Sequence, residues 1–306
     1  MSTLYIIGNG FDLHHGLPTS LTDFRKYAEY SAFSRLYEDG AFMICANQTL
    51  DKHWESLEEN LSNFDVDALI EHAAEYYDDD PHENQFVYEV ESAIDVLTTG
   101  LKRGLSKYLS LAESQDVGID KLLKIDTNAR FLCFNYTNTL DRIYKIPSNR
   151  ICYIHGKLNT PNAPIVIGHG MEDSGYTPQD EIDISALTEE ALAAYEDSYS
   201  PDYEYAVKEA HGYFKKNYKD TVGCINASSE FFESLSDIDR VIILGHSLGE
   251  IDLPYFECIN RTVRSDCHWA ATYYQSDQKR KIFERLEGIV NDRSRMSLFE
   301  ISQLVR

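Results

Sequence analysis

Four short stretches of the chain combine residue types able to do chemistry, and each follows a run of apolar residues. The first is Gly8-Asn9-Gly10-Phe11-Asp12, directly after Leu4-Tyr5-Ile6-Ile7. Its glycines permit a tight turn with bare backbone, and amides in such a turn offer a site for a phosphate oxygen. Asn9 and Asp12 add polar side chains of a length to reach a sugar or a reacting carbon. The second is Phe134-Asn135-Tyr136-Thr137, where Asn135 is able to hold a water and equally able to close an Asx turn. The third, His155-Gly156, supplies a side chain that exchanges protons near neutral pH. A turn histidine with no chemical role fits the same dipeptide. The fourth is Gly245-His246-Ser247-Leu248-Gly249. It fits G-x-S-x-G, the turn that exposes a nucleophilic serine in α/β-hydrolases.

The elements needed to hold these stretches are strands that end where the polar residues begin. Residues 4–7, 129–134, 150–154, 164–167, 240–244 and 267–274 all read as strands. Helical spacing covers 21–37, most of 52–111, a short segment ending at Tyr144, about 185–218, 251–263 and 277–289. Buried strands alternating with helices predict an α/β fold, a mostly parallel sheet with helices on both faces. In such sheets ligands sit beyond the carboxyl ends of the strands, which is where all four stretches fall. The acidic, helical stretch 50–115 and a second at 185–235 read as insertions into one α/β domain spanning 1–306.

Composition narrows the function. A formal net charge of −23 with no lysine- or arginine-rich block excludes nonspecific nucleic-acid binding as an expectation. No apolar run is long enough for a bilayer, and the apolar segment near residue 4 has no signal-peptide pattern, so a cytoplasmic address is expected. The six cysteines form no C-x-x-C pair, the Asp78-Asp79-Asp80-Pro81 knot reads as a solvated loop, and no metal site is expected. His14, His15 and His169 lack metal-ligand spacing and read as structural.

Taken together and in this order, the four stretches resemble the sirtuin-like NAD-binding fold, and within it the AbiH-type branch of bacterial abortive-infection proteins. The resemblance covers both ends and the middle of the chain. It implies a Rossmann-type sheet and NAD as substrate rather than as resident cofactor. It implies that Gly8, Asn9 and Gly10 hold the dinucleotide's pyrophosphate, that Phe11 and Thr137 also belong to the NAD-binding set, and that Asn135 orients a water or the nicotinamide ribose. His155 would contact the ribose hydroxyls, while Gly245, His246, Ser247 and Leu248 would take the adenosine side. Thr137 stands where the family has an aspartate, and the paired C-x-x-C motifs of the deacetylase zinc ribbon are missing. What remains is cleavage of NAD itself. That reaction develops positive charge at the ribose C1′, so a carboxylate such as Asp12, an oriented water and a histidine base suit it.

The expectation is therefore an NAD glycohydrolase of antiphage defence, with Asn135, His155 and Asp12 catalytic. An enzyme so hazardous to its host should be restrained by homo-oligomerisation, a defence partner or a phage trigger. Two other readings compete. One is a sensor that binds NAD or an ADP-ribose-like signal without cleaving it. The other is a serine hydrolase built on Ser247, with Asp252, Glu257, Asp266 or Asp277 and His268 as the available partners.

Overall fold

The computed structural model describes residues 2–40, 42–43, 49–75, 85–161, 165–171 and 200–305. The chain divides into two compact units, one of Met1–Tyr27, Gly104–Ile167 and Lys219–Arg306, the other of Ala28–Arg103 and Gly168–Tyr218. The first carries the whole sheet. These limits differ from the insertion bounds 50–115 and 185–235 expected from the sequence.

The first unit is built on six strands: β1 (Thr3–Ile7), β2 (Arg130–Cys133), β3 (Ile151–Tyr153), β4 (Arg240–Leu244), β5 (His268–Tyr273) and β6 (Met296–Glu300). Their order is β3-β2-β1-β4-β5-β6, and every neighbouring pair is parallel. This is the doubly wound arrangement, with the reversal of direction between β1 and β4. Alternation along the strands sends side chains to two cores. Leu4, Ile6, Leu132, Val241, Ile243, Trp269 and Ala271 pack under the helices Leu253–Thr262 and Ser276–Val290. Tyr5, Ile7, Phe131 and Cys133 pack on the other face with Phe11, Leu140 and Tyr144. Both faces are thus covered, as an all-parallel sheet requires.

Register decides where the polar stretches go. Ile7 is the Cα partner of both Cys133 and Leu244, and Cys133 is the partner of Tyr153. The next residues, Gly8, Phe134, Ile154 and Gly245, therefore leave the sheet at one level and on one edge.

The second unit is helical. Ala32–Glu38, Leu50–Glu55, Val66–Ala74 and Pro201–Asn217 are capped by Ser31, Thr49, Asp65 and Ser200, whose side chains accept from Ser34, Lys52, Ala68 and Tyr203 amides. Its centre includes Trp54, Tyr37 and Tyr213, and Tyr213 Oη donates to Leu61 O at 2.9 Å.

Several sequence expectations shift. The helix expected at 21–37 is two, Leu21–Ala28 and Ala32–Glu38, parted by Tyr30 at φ 69°. Of the strand expected at 164–167, residue 164 lies outside the described residues and 165–167 form none. The Val166 amide donates to His155 O and its carbonyl accepts from Tyr136 Oη, so the segment is tied to a loop instead of a ladder. The acidic knot at 78–81 and the start of the helix expected at 185 also lie outside the described residues.

Candidate functional site

Asn9–His14 forms a single short helix after β1, and the two glycines that open it are pressed against the end of β4. A Cβ on Gly8 would lie 2.6 Å from His246 Cα, and one on Gly10 would lie 2.8 Å from Gly245 Cα. Gly245 answers from the other side. Its φ is +67°, and a Cβ there would stand 2.2 Å from the Phe11 nitrogen. Hydrogen bonds complete the seam: Gly8 N donates to Leu244 O and Gly10 N to Gly245 O, at 3.0 and 2.8 Å.

This corrects the expectation that the glycine amides stand bare for a phosphate. The Gly8 and Gly10 amides are spent on the β4 exit, and the missing side chains make room for backbone. Phe11 is corrected likewise, since its ring is fully buried beside His15 and Tyr144 and its amide donates to Gly8 O. Asn9 is exposed, but its carboxamide is held by Thr19, donating to the Thr19 carbonyl at 3.0 Å and accepting from its hydroxyl at 2.6 Å.

Asp12 lies at 1% exposure with Oδ2 accepting from Thr137 Oγ1 at 2.5 Å, while Oδ1 has no hydrogen-bond partner among the described residues. Burial raises its pKa to about 6, against the lowering pull of the Thr137 hydroxyl and of the nearby Thr139 and Asn135 side chains. The threonine that replaces an expected aspartate thus meets a carboxylate brought from the β1 exit. Asn135, also buried, donates from Nδ2 to Gly8 O at 3.1 Å and ties the β2 exit to the glycine turn.

A second group gathers about Asp252, just before the Leu253–Thr262 helix. Lys219, 1% exposed in its side chain, places Nζ 3.0 Å from Asp252 Oδ1. Ammonium and carboxylate face one another as a buried ion pair, although Oδ1 makes no hydrogen bond of regular geometry among the described residues. His246 Nε2 lies 3.4 Å from Oδ2, and His155 Nε2 lies 3.8 Å from Oδ1 and 3.2 Å from Tyr255 Oη. Leu248 N–H donates to His246 Nδ1 at 2.9 Å, so His246 carries its proton on Nε2, toward the carboxylate. Phe134 wedges between the two imidazoles, its ring 5.1 Å from His155 and 4.4 Å from His246.

Charge in this group is strongly directed. Burial opposes ionisation of Asp252, yet the Lys219 ammonium and then the His246 N–H hold its carboxyl well below the usual range. Burial, then the nearby ammonium, push His155 well below the ordinary histidine value, so it rests neutral. His155 Nδ1 has no hydrogen-bond partner among the described residues. A base with one nitrogen engaged and the other open is suited to take a proton.

The remaining turn residues divide. Leu248 is fully buried at φ 57° and serves packing, which corrects its expected ligand role. Ser247 is exposed, and its carbonyl accepts from Arg285 at 2.8 Å. The serine-hydrolase reading loses its histidine: His268 pairs with Arg240 at the opposite end of the sheet, roughly 16 Å of strand from Gly245. Positive φ also falls on Gly245 and Leu248 and not on the serine, unlike a nucleophile elbow. Sequence reasoning missed Lys219 altogether and weighed Asp252 only as a hydrolase acid. No local motif marks the lysine, because tertiary packing alone brings it to the carboxylate.

Among the described residues no helix is long and apolar enough to cross a membrane. No group of three or more His, Cys, Asp or Glu among them is arranged to hold a metal ion. The family model for bacteriophage abortive infection AbiH matches residues 4–273, which includes all four strand exits. The chain belongs to the AbiH family. No curated protein and no solved structure matches it.

Proposed function

We propose that this AbiH protein hydrolyses NAD to nicotinamide and ADP-ribose, and that the reaction serves abortive infection by draining the cell's cofactor. The observation that carries the reading is the shared level of the four strand exits at the reversal point of a doubly wound sheet, where such folds receive dinucleotides. Asn135 and Gly8 line one part of that edge, and His155 and His246 the other.

In this mechanism Asn135 orients a water against the nicotinamide ribose, and His155 accepts its proton at Nδ1. The oxygen bonds to C1′ while the C1′–N bond breaks, its electron pair neutralising the nicotinamide nitrogen as it leaves. Ionised Asp12 favours the positive charge that develops at the ribose. The proton passes from His155 to solvent and resets the site. Activity is expected to await a second copy, a defence partner or a phage trigger.

The test is release of nicotinamide from NAD by the purified protein, followed by chromatography and mass spectrometry, alone and with extract of phage-infected cells. His155→Ala should reduce release on the order of 10²-fold or more, with an unchanged circular-dichroism spectrum. Retention of intact NAD under every condition would instead support a sensor. Cleavage unaffected by His155→Ala would overturn the site.

A further inference from the structure

We infer that Asp252 is the positioning residue of His155, fixing the tautomer that leaves Nδ1 open, with Lys219 and His246 as its other buried partners. The inference rests on the proposed proton transfer at His155, but its geometry stands by itself. Nε2 of His155 faces a carboxylate oxygen at 3.8 Å and a phenol at 3.2 Å, whereas Nδ1 faces no described partner. A proton on Nε2, facing the ionised carboxylate and able to donate to the Tyr255 oxygen, leaves the lone pair on the opposite side of the ring.

Asp252 Oδ1 is also a buried acceptor without a hydrogen bond among the described residues. When His155 becomes an imidazolium, its Nε2–H can close on that oxygen, and the contact strengthens as charge appears. Lys219 works in the other direction. Its ammonium neutralises Asp252 at rest and opposes a second positive charge nearby. The groups facing His155 are thus Lys219, Asp252, His246 and Tyr255, and their balance sets how readily the ring accepts and returns a proton.

The experiment is nuclear magnetic resonance of the full chain labelled with ¹⁵N-histidine, the His155 ring being assigned by its loss in His155→Gln. In the unmodified protein the ring should show a protonated Nε2 and a bare Nδ1. The opposite tautomer overturns the proposal without any further variant. On titration, Lys219→Met should move protonation of His155 to higher pH, and Asp252→Asn should move it lower. Shifts in the same direction, or none, would also overturn it, because a packing role predicts no opposed pair. With NAD, Asp252→Asn should lower kcat on the order of 10²-fold at little change in KM. If the ring behaves as expected and no variant or trigger yields nicotinamide, the NAD reading fails and the positioning role stands. If NAD is cleaved and the ring ignores both substitutions, the positioning role fails alone.

Discussion

Asn135 Nδ2 donates to the carbonyl of Gly8 at 3.1 Å, joining the ends of two strands separated by more than a hundred residues of chain. The same carbonyl accepts from the Phe11 amide at 2.9 Å, so it keeps a partner when Asn135 is removed. Asn135→Ala should therefore cost only about 1 kcal/mol of stability, while nicotinamide release falls on the order of 10²-fold. Thermal melts and a turnover assay on the same preparation separate the two effects. A large loss of stability would mean that the residue is chiefly structural.

Gly245 and Gly16 form a natural contrast. Both have positive φ, +67° and +81°, but a Cβ on Gly16 meets nothing among the described residues within 4 Å, whereas one on Gly245 meets the Phe11 nitrogen at 2.2 Å. Gly16→Ala should cost about 1–2 kcal/mol from backbone strain alone. Gly245→Ala must displace backbone at the centre of the site and should cost more than ~3 kcal/mol or prevent folding. Urea denaturation of the pair measures the difference, and equal losses would show that the seam between the β1 and β4 exits is loose.

Much of this architecture was readable because local signals and global fold agree. Leu4-Tyr5-Ile6-Ile7 is short, apolar and followed by glycine, so strand, exit and level in the sheet come together. The segment 296–300 escaped because its burial is only partial, in keeping with an edge strand that leans on β5 alone. Position 30 escaped because a left-handed tyrosine has no sequence mark. In the site, the glycines were visible but their purpose was not. Bareness for a phosphate and bareness for a neighbouring loop look identical in one dimension. Lys219 and Asp252 were hidden for a related reason: their pairing exists only once the Leu253–Thr262 helix is docked.

Asp12 gives the fold a distinctive pH response. Its folded pKa, about 6, lies above the unfolded 3.8, so between these values the folded state binds more protons and stability falls as pH rises. At pH 7 the ionised carboxylate costs on the order of 2–3 kcal/mol. His15 acts oppositely. Burial, offset in part by its bond to Phe11 O, lowers its pKa to about 4, so its contribution is lost as pH falls from 6.5 toward 4. Asp12→Asn should thus raise the Tm at pH 7 and make the acid decline below pH 6 steeper, because the compensating carboxyl is gone. Melts from pH 8 to 4 test this, and a substitution that lowers Tm at pH 7 would contradict it.

Ser247 separates a nucleophile from a binding residue. It is exposed at the β4 exit, while His268 begins β5 at the far end of the sheet, so no catalytic histidine of that strand can reach it. His246, its neighbour, has Nδ1 engaged by Leu248 N–H and Nε2 turned to Asp252. With no base at hand among the described residues the hydroxyl stays weakly nucleophilic, and a fluorophosphonate probe should leave it unlabelled. If the turn instead holds the adenosine side of NAD, Ser247→Ala loses about one hydrogen bond from ground and transition states alike. KM should then rise up to about tenfold with kcat unchanged. Steady-state kinetics read this directly, and a collapse of kcat with probe labelling at Ser247 would restore the hydrolase.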